Sequence, residues 1–290
     1  MEFRVLRYFL AVAKEKSITA ASQTLNLTQP TLSRQLMELE EEIGKKLFVR
    51  SNRKITLTEE GLILQKRAEE ILELLEKTKS EVSIPSEEIS GEIHIGCAET
   101  RGINFIAKII AKMQKDYPQV CFRFFSGNAE EVADKLNKGL LDFGIIVGNA
   151  DISKYECLNL PWRDTWGLLM PKNALLATKD SIEQKDIFHI PLIVSAQTLN
   201  GNNILSWFGN SYNKLNIVAT YNLLFNASIL VEEGVGYALC LDKIVSVDSL
   251  CFKPLSPTLN IELNFIWKKY QVFSKAANLF LSYIQQELDL

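Results

Sequence analysis

Two histidines and five cysteines in 290 residues are few, and their placing excludes more than their number. His94 and His189 are far apart and lack a ligand-spaced partner, so no metal site is expected. Cys97, Cys121, Cys157, Cys240 and Cys251 form an odd set without a C-x-x-C pair. Four of them lie in apolar or strand-like surroundings, where a free thiol behaves as a small hydrophobe. There is no Ser/His/Asp set and no glycine-rich phosphate loop, so an enzyme is not expected, nor is a cofactor. No apolar run approaches 18 residues, and no charged, apolar, small-residue leader opens the sequence. Neither a membrane partner nor secretion is expected, which leaves the cytoplasm.

What is present is a soluble-type composition, 47% apolar and 23% charged, in a chain long enough for two or three domains. The net charge of −3 hides an uneven distribution. Residues 1–58 hold 10 Lys/Arg against 6 Asp/Glu, whereas residues 59–89 hold 4 against 9. A polyanion is therefore to be sought at the N-terminal segment.

Leu6, Phe9, Leu10 and Ala13 share one face of a helix over roughly 3–15. Ser17 caps a short helix, "ITAASQTL", which Asn26 ends. Thr28 caps a third, with Pro30 in its first turn and Gly44 as its left-handed stop. Leu32, Leu36, Leu39 and Ile43 form the expected buried stripe. At 100° per residue Arg34 points opposite that stripe, with Thr31 and Ser33 to either side. This is a helix-turn-helix whose reading end carries Gln29, Pro30, Thr31, Ser33 and Arg34. "LFVRSNRKITLT" then reads as a hairpin with Arg50, Asn52, Arg53 and Lys54 at its tip. Alone it would be a solvated surface hairpin; beside residues 28–38 it reads as a wing that holds phosphates or a minor groove.

Thr58 caps a long helix with Glu59 and Glu60 in its first turn. Leu64, Ala68, Ile71, Leu75, Thr78 and Val82 step by 4, 3, 4, 3, 4, the spacing of a coiled-coil dimerisation seam. Pro85 and "SIPSEEISG" mark a hinge. From residue 91 strand-like and helical stretches alternate: "GEIHIGC", "QVCFRFFSG" and "LDFGIIVG" in a first set, "TWGLLMP", "PLIVSA", "LNIVATY" and "YALCLDKIV" in a second. "IELNFIWKK" and a closing helix finish the chain. Two α/β lobes with a cleft between them are expected.

Residues 9–61 as a whole resemble the winged helix-turn-helix of LysR-type transcriptional regulators. The small-residue second helix, the Gln-Pro-x-Leu-Ser entry and the Leu-Phe-x-Arg wing with its Thr-Glu exit all fit. Downstream the layout is similar: a linker helix, then a two-lobed domain like type 2 periplasmic binding proteins, with "VEEGVGYAL" as a helix-turn-strand. Cys240-Leu241, where Leu-Pro is usual, and Thr31, where Ala or Ser is commoner, depart from the pattern. The resemblance implies an α/β protein with a DNA-binding domain at 1–58, a linker at 59–89 and an effector domain at 90–290. The first lobe would take about 90–161 and 266–290, the second about 162–265.

It further implies a homodimer or homotetramer on a two-fold site in double-stranded DNA, responsive to a small molecule, with RNA polymerase as a further partner. The strand ends and helix starts place Glu99, Thr100, Arg101, Asn128, Val147, Gly148, Gln197, Thr198, Leu224 and Asn226 around the cleft. Thr100 precedes a helix whose free N–H groups would suit a carboxylate-bearing effector. Glu99 would then pair with Arg101 or with an effector amine. An alternative trigger is oxidation of Cys240 with Cys251.

Overall fold

The computed structural model describes residues 1–50, 54–83, 88–148, 154–199 and 202–290, and none of the side chains of Arg50, Thr198, Leu199, Asn202, Asn203, Leu205 and Asn210. The chain forms two compact units, Met1–Ser83 and Ile84–Leu290.

In the first unit, α1 (Phe3–Glu15), α2 (Ile18–Thr24) and α3 (Gln29–Ile43) precede a hairpin of β1 (Phe48–Arg50) and β2 (Ile55–Leu57), and α4 (Glu59–Val82) follows. Local chemistry sets each boundary. The Ser17 hydroxyl accepts from Ala20 N at 3.3 Å, Thr28 from Thr31 N at 3.4 Å and Thr58 from Gly61 N at 3.0 Å, satisfying N–H groups that helices leave open. Gly44 ends α3 in the left-handed region at φ 73°. Phe9, Val12, Ala21, Leu32, Leu36, Leu39, Leu47 and Phe48 make the core. Ile43, expected to close the α3 stripe, is exposed, and Glu40 is buried on that side instead.

The expected coiled-coil seam of the long helix is partly covered by its own domain. Leu64 packs into the core of its own domain, Ala68 is fully buried, and α1 lies along α4, with Arg7 paired to Glu76. Ile71 and Leu75 are half-buried and Val82 is exposed. The face with 3.5-residue spacing thus already has an intramolecular partner over its first half. The exposed apolar side chains of α4 are Leu62, Ile63, Leu74 and Val82.

The second unit is built on one continuous sheet in the order β4-β3-β5-β12-β6-β10-β8-β9. Its strands are β3 (Gly91–Cys97), β4 (Val120–Ser126), β5 (Phe143–Val147), β6 (Tyr155–Pro171), β7 (Ile182–Glu183), β8 (Pro191–Ser195), β9 (Asn216–Tyr221), β10 (Tyr237–Leu241), β11 (Leu250–Ser256) and β12 (Asn260–Lys268). Its helices are α5 (Ile103–Asp116), α6 (Ala129–Asn137), α7 (Gln184–Ile187), α8 (Asn202–Phe208), α9 (Leu224–Glu232) and α10 (Lys275–Glu287).

The first lobe pairs β3 in parallel with β4 and β5 around Ile93, Ile95, Phe143, Leu263, Phe265 and Phe280. The second pairs β8 in parallel with β9 and β10. Two strands join the lobes. β6 pairs with β12 through Tyr155–Thr165 and with β10 and β11 through the rest. β12 returns beside it, and its Leu263 and Phe265 already lie in the first-lobe core. β11 pairs on the far edge of β6 and was not among the expected strands.

Candidate functional site

The expected reading end of α3 is open to solvent. Gln29, Pro30, Thr31 and Arg34 are exposed and Ser33 is half-buried, while Leu32 and Leu36 anchor the opposite face. Two of these side chains are not free. The Thr31 hydroxyl lies 2.8 Å from that of Thr28, so it is shared with the helix cap. Arg34 Nε donates to Glu38 Oε1 at 2.9 Å.

The base of the hairpin is held from two sides. Glu40 Oε1 accepts from Leu47 N at 2.8 Å and Phe48 N at 3.3 Å, and its other oxygen accepts from Lys46 Nζ at 2.8 Å. Burial pushes the Glu40 carboxyl up, but the Lys46 ammonium and the two N–H groups outweigh it and hold it below the ordinary range. From the other side, the Thr58 hydroxyl donates to Lys46 O at 2.7 Å and Thr58 N to Leu47 O at 3.0 Å. Of the expected wing residues, Lys54 is exposed; Asn52 and Arg53 lie outside the described residues, as does the Arg50 side chain. Glu40 was not singled out in the sequence. Its neighbours Glu38, Glu41 and Glu42 make it read as one more solvated acid.

In the second unit Glu99 and Asn128 follow the C-terminal ends of β3 and β4, and Val147 is the last residue of β5, the three strands lying adjacent and parallel. Gln197 and Leu224 follow the ends of β8 and β9 in the other lobe. The Glu99 carboxylate joins the two sets: it accepts from the backbone N–H of Leu224, 125 positions away. Leu224 is the first residue of α9, whose cap residue Leu223 offers no side-chain acceptor. Glu99 therefore supplies the anion that this helix start otherwise lacks. It does so in place of the expected pairing with Arg101, which is exposed.

Thr100 behaves differently from its expected role. It is buried, accepts from Gly102 N at 2.9 Å and donates to Asp164 on the crossing strand β6. The next N–H groups of α5 are satisfied locally, Asn104 N by Arg101 O at 3.1 Å and Phe105 N by Gly102 O at 3.1 Å. The start of α5 is thus closed, and no free N–H cradle exists there. Asp164 also accepts from Trp162 Nε1 at 2.7 Å. Its burial raises the carboxyl above the ordinary range against those two hydrogen bonds. A side chain at Gly102 would meet Leu263 Cδ2 at 2.3 Å, so only glycine lets α5 start this close to the crossing strands.

Asn128 is a structural cap. Its Oδ1 accepts from Glu131 N at 3.0 Å, and Glu131 returns the bond to Asn128 N at 2.9 Å, a capping box. Gly148 N donates to Glu262 O at 2.9 Å on β12. Gln197 is half-buried and Asn226 exposed; the Thr198 side chain is not described. An open groove of about 700 Å³ lies elsewhere, along Asn104, Phe105, Ala107, Lys108, Ala111, Pro161 and Trp162.

The cysteine trigger fails on geometry. Cys240 pairs with Gly167 on one edge of β6 and Cys251 with Met170 on the other. With strands about 4.8 Å apart, two strand spacings already exceed the reach of a disulfide, about 7 Å between Cα atoms. Cys240 belongs to the core on one sheet face and Cys251 packs against the core on the other. Burial also pushes the Cys240 thiol far up, away from the reactive thiolate.

Residues 3–62 match the family model described as a bacterial regulatory helix-turn-helix protein of the lysR family, and residues 86–289 match the LysR substrate binding domain. The chain is 31% identical over 221 residues to the HTH-type transcriptional regulator BsdA of Bacillus subtilis, covering 75% of this chain and 74% of that one. It superposes on full-length CbnR complexed with target DNA with a TM-score of 0.78 at 18% identity, covering 99% of both chains. HinK, a LysR family transcriptional regulator from Pseudomonas aeruginosa, gives 0.55 at 24% identity, covering 99% of this chain and 98% of that one. At these identities the two structures speak to the fold. Among the described residues no helix is long and apolar enough to cross a membrane.

Proposed function

Because the chain belongs to the LysR family of DNA-binding transcriptional regulators, which carry an effector-binding domain and are not enzymes, we propose how this member divides the work among its residues. Gln29, Pro30, Thr31, Ser33 and Arg34 read base edges in the major groove, and Arg50, Asn52, Arg53 and Lys54 hold the flanking backbone. Two or four copies act on a two-fold DNA site, with α4 contributing to their pairing through Ile71, Leu75 and Val82 and through the exposed Leu74 beside them. The cytoplasm is its compartment.

The effector is a small carboxylate that binds between the lobes at the start of α9. The contact of Glu99 with Leu224 N carries this reading, because a carboxylate already occupies that helix start. An incoming carboxylate would take the place of Glu99. The released Glu99 side chain would then favour a ligand that also bears an amine. Thr100 and Asp164 act in holding α5 to the crossing strand.

Thermal-shift titrations of small carboxylates, with and without amines, against wild type and Glu99→Gln test this. Wild type should respond best to amino-acid-like compounds, and Glu99→Gln should shift the preference towards plain carboxylates. Equal responses in the two proteins, or no stabilisation of wild type by any carboxylate, would remove the assignment.

A further inference from the structure

Glu38 lies one turn beyond Arg34 on the exposed face of α3, and both of its oxygens are engaged. Oε1 accepts from Arg34 Nε at 2.9 Å and Oε2 accepts from Gln35 Nε2 at 2.7 Å. Arg34 keeps 77% of its side chain exposed in this arrangement. The contact uses only the inner N–H of the guanidinium, so the fork of two terminal amino groups stays open. We propose that Glu38 is a positioning residue for DNA reading: it aims the terminal fork of Arg34 at a base edge and cancels its charge towards phosphates.

The inference rests on α3 being the reading helix. An arginine free to swing is attracted to the nearest phosphate, whatever the sequence, and strengthens non-specific binding through counterion release. An arginine pinned by an i,i+4 carboxylate adds little net charge. Its remaining donors match the O6 and N7 acceptors of guanine, a pairing that discriminates among bases. Glu38 itself has no donor for a base acceptor and would be repelled by phosphate, so it favours poses in which Arg34 lies between it and the DNA. Gln35, held by the same carboxylate, is kept from competing for the groove.

The test uses the full-length protein, an operator selected from random oligonucleotides, and a scrambled duplex of equal length, each titrated with salt. Wild type is compared with Glu38→Gln, Arg34→Ala and the double variant. Glu38→Gln should bind the scrambled duplex more tightly, with a salt slope steeper by about 1. The ratio of operator to scrambled affinity should fall about tenfold, part of the discrimination a bidentate contact supplies. In the Arg34→Ala background the same substitution should leave the ratio nearly unchanged, since Glu38 acts through Arg34. An unaltered ratio in Glu38→Gln, or an equal fall in both backgrounds, overturns the proposal. If Arg34→Ala alone alters neither the ratio nor the selected sequence, the reading-helix assignment itself has failed.

Discussion

Glu40 faces the core of the winged domain, where the two wing N–H groups depend on its carboxylate. Removing that acceptor leaves buried donors unpaired, at a cost of about 1–3 kcal/mol. Glu40→Ala should destabilise the winged domain by that amount at pH 7. The Glu40 carboxyl is held below its ordinary value in the folded state. Its contribution is therefore present above the unfolded value, about 4.3, and is lost as pH falls through the lower folded value. Urea unfolding of both proteins should show the gap closing as the solution is acidified below the ordinary carboxylate range; a gap that stays constant would assign the loss to something other than the carboxylate. The thiols give a second expectation at this scale. With Cys240 and Cys251 on opposite edges of β6, brief peroxide treatment should leave DNA affinity unchanged and produce no intramolecular disulfide by mass spectrometry.

At the scale of elements, Gly61 sets two magnitudes against each other. In an exposed helix, replacing glycine by alanine gains about 1 kcal/mol. Here the added Cβ would lie 2.2 Å from Leu47 O, a backbone atom that cannot step aside without moving the wing. Gly61→Ala should therefore lower the melting temperature and weaken DNA binding; a higher melting temperature would show that the contact between α4 and the wing yields freely. The two apolar faces of α4 separate in the same way. Leu75 shares the face that packs on α1, whereas Leu74 and Ile63 project about 100° away and are exposed. Leu74→Asp should lower the dimer fraction in sedimentation while leaving the domain folded, and Leu75→Asp should disturb both. An undisturbed dimer with both variants would place the subunit contact elsewhere.

The helices were legible because their stops are local: Ser17, Thr28, Thr58 and Gly44 mark ends within one turn. β6 was legible only in its second half, since Pro161 and the polar Arg163-Asp164-Thr165 interrupt its apolar run. The register shift opposite Glu262 and Asn264 of β12 places extra residues in β6 at that interruption, between Asn159 and Arg163. β11 was hidden by Lys253-Pro254. The strand ends around the cleft could be read, but the joining of Glu99 to Leu224 could not, because no local pattern relates positions so far apart.

Over the whole molecule, the lobes of the second unit share two crossing strands and the Glu99 contact. Glu99→Gln should weaken the contact while the crossing strands persist. Amide hydrogen exchange at Leu224 should then accelerate, with the β6–β12 amides unchanged; unaltered exchange at Leu224 would mean that the contact does not restrain the lobes. In the first unit the root of α4 is fixed by Thr58 to Lys46 and Leu47 and by the close approach of Gly61, and α1 braces its flank. Such a root has no free pivot, so α4 and the winged domain form one stiff lever. Its 24 residues make an arm of about 36 Å, so a tilt of about 5° carries the far end about 3 Å. Read in the other direction, a push of that size near Val82 would re-aim α3 by the same few degrees. Torque at the far end of the helix would thus reach the proposed DNA-reading face as a change of angle.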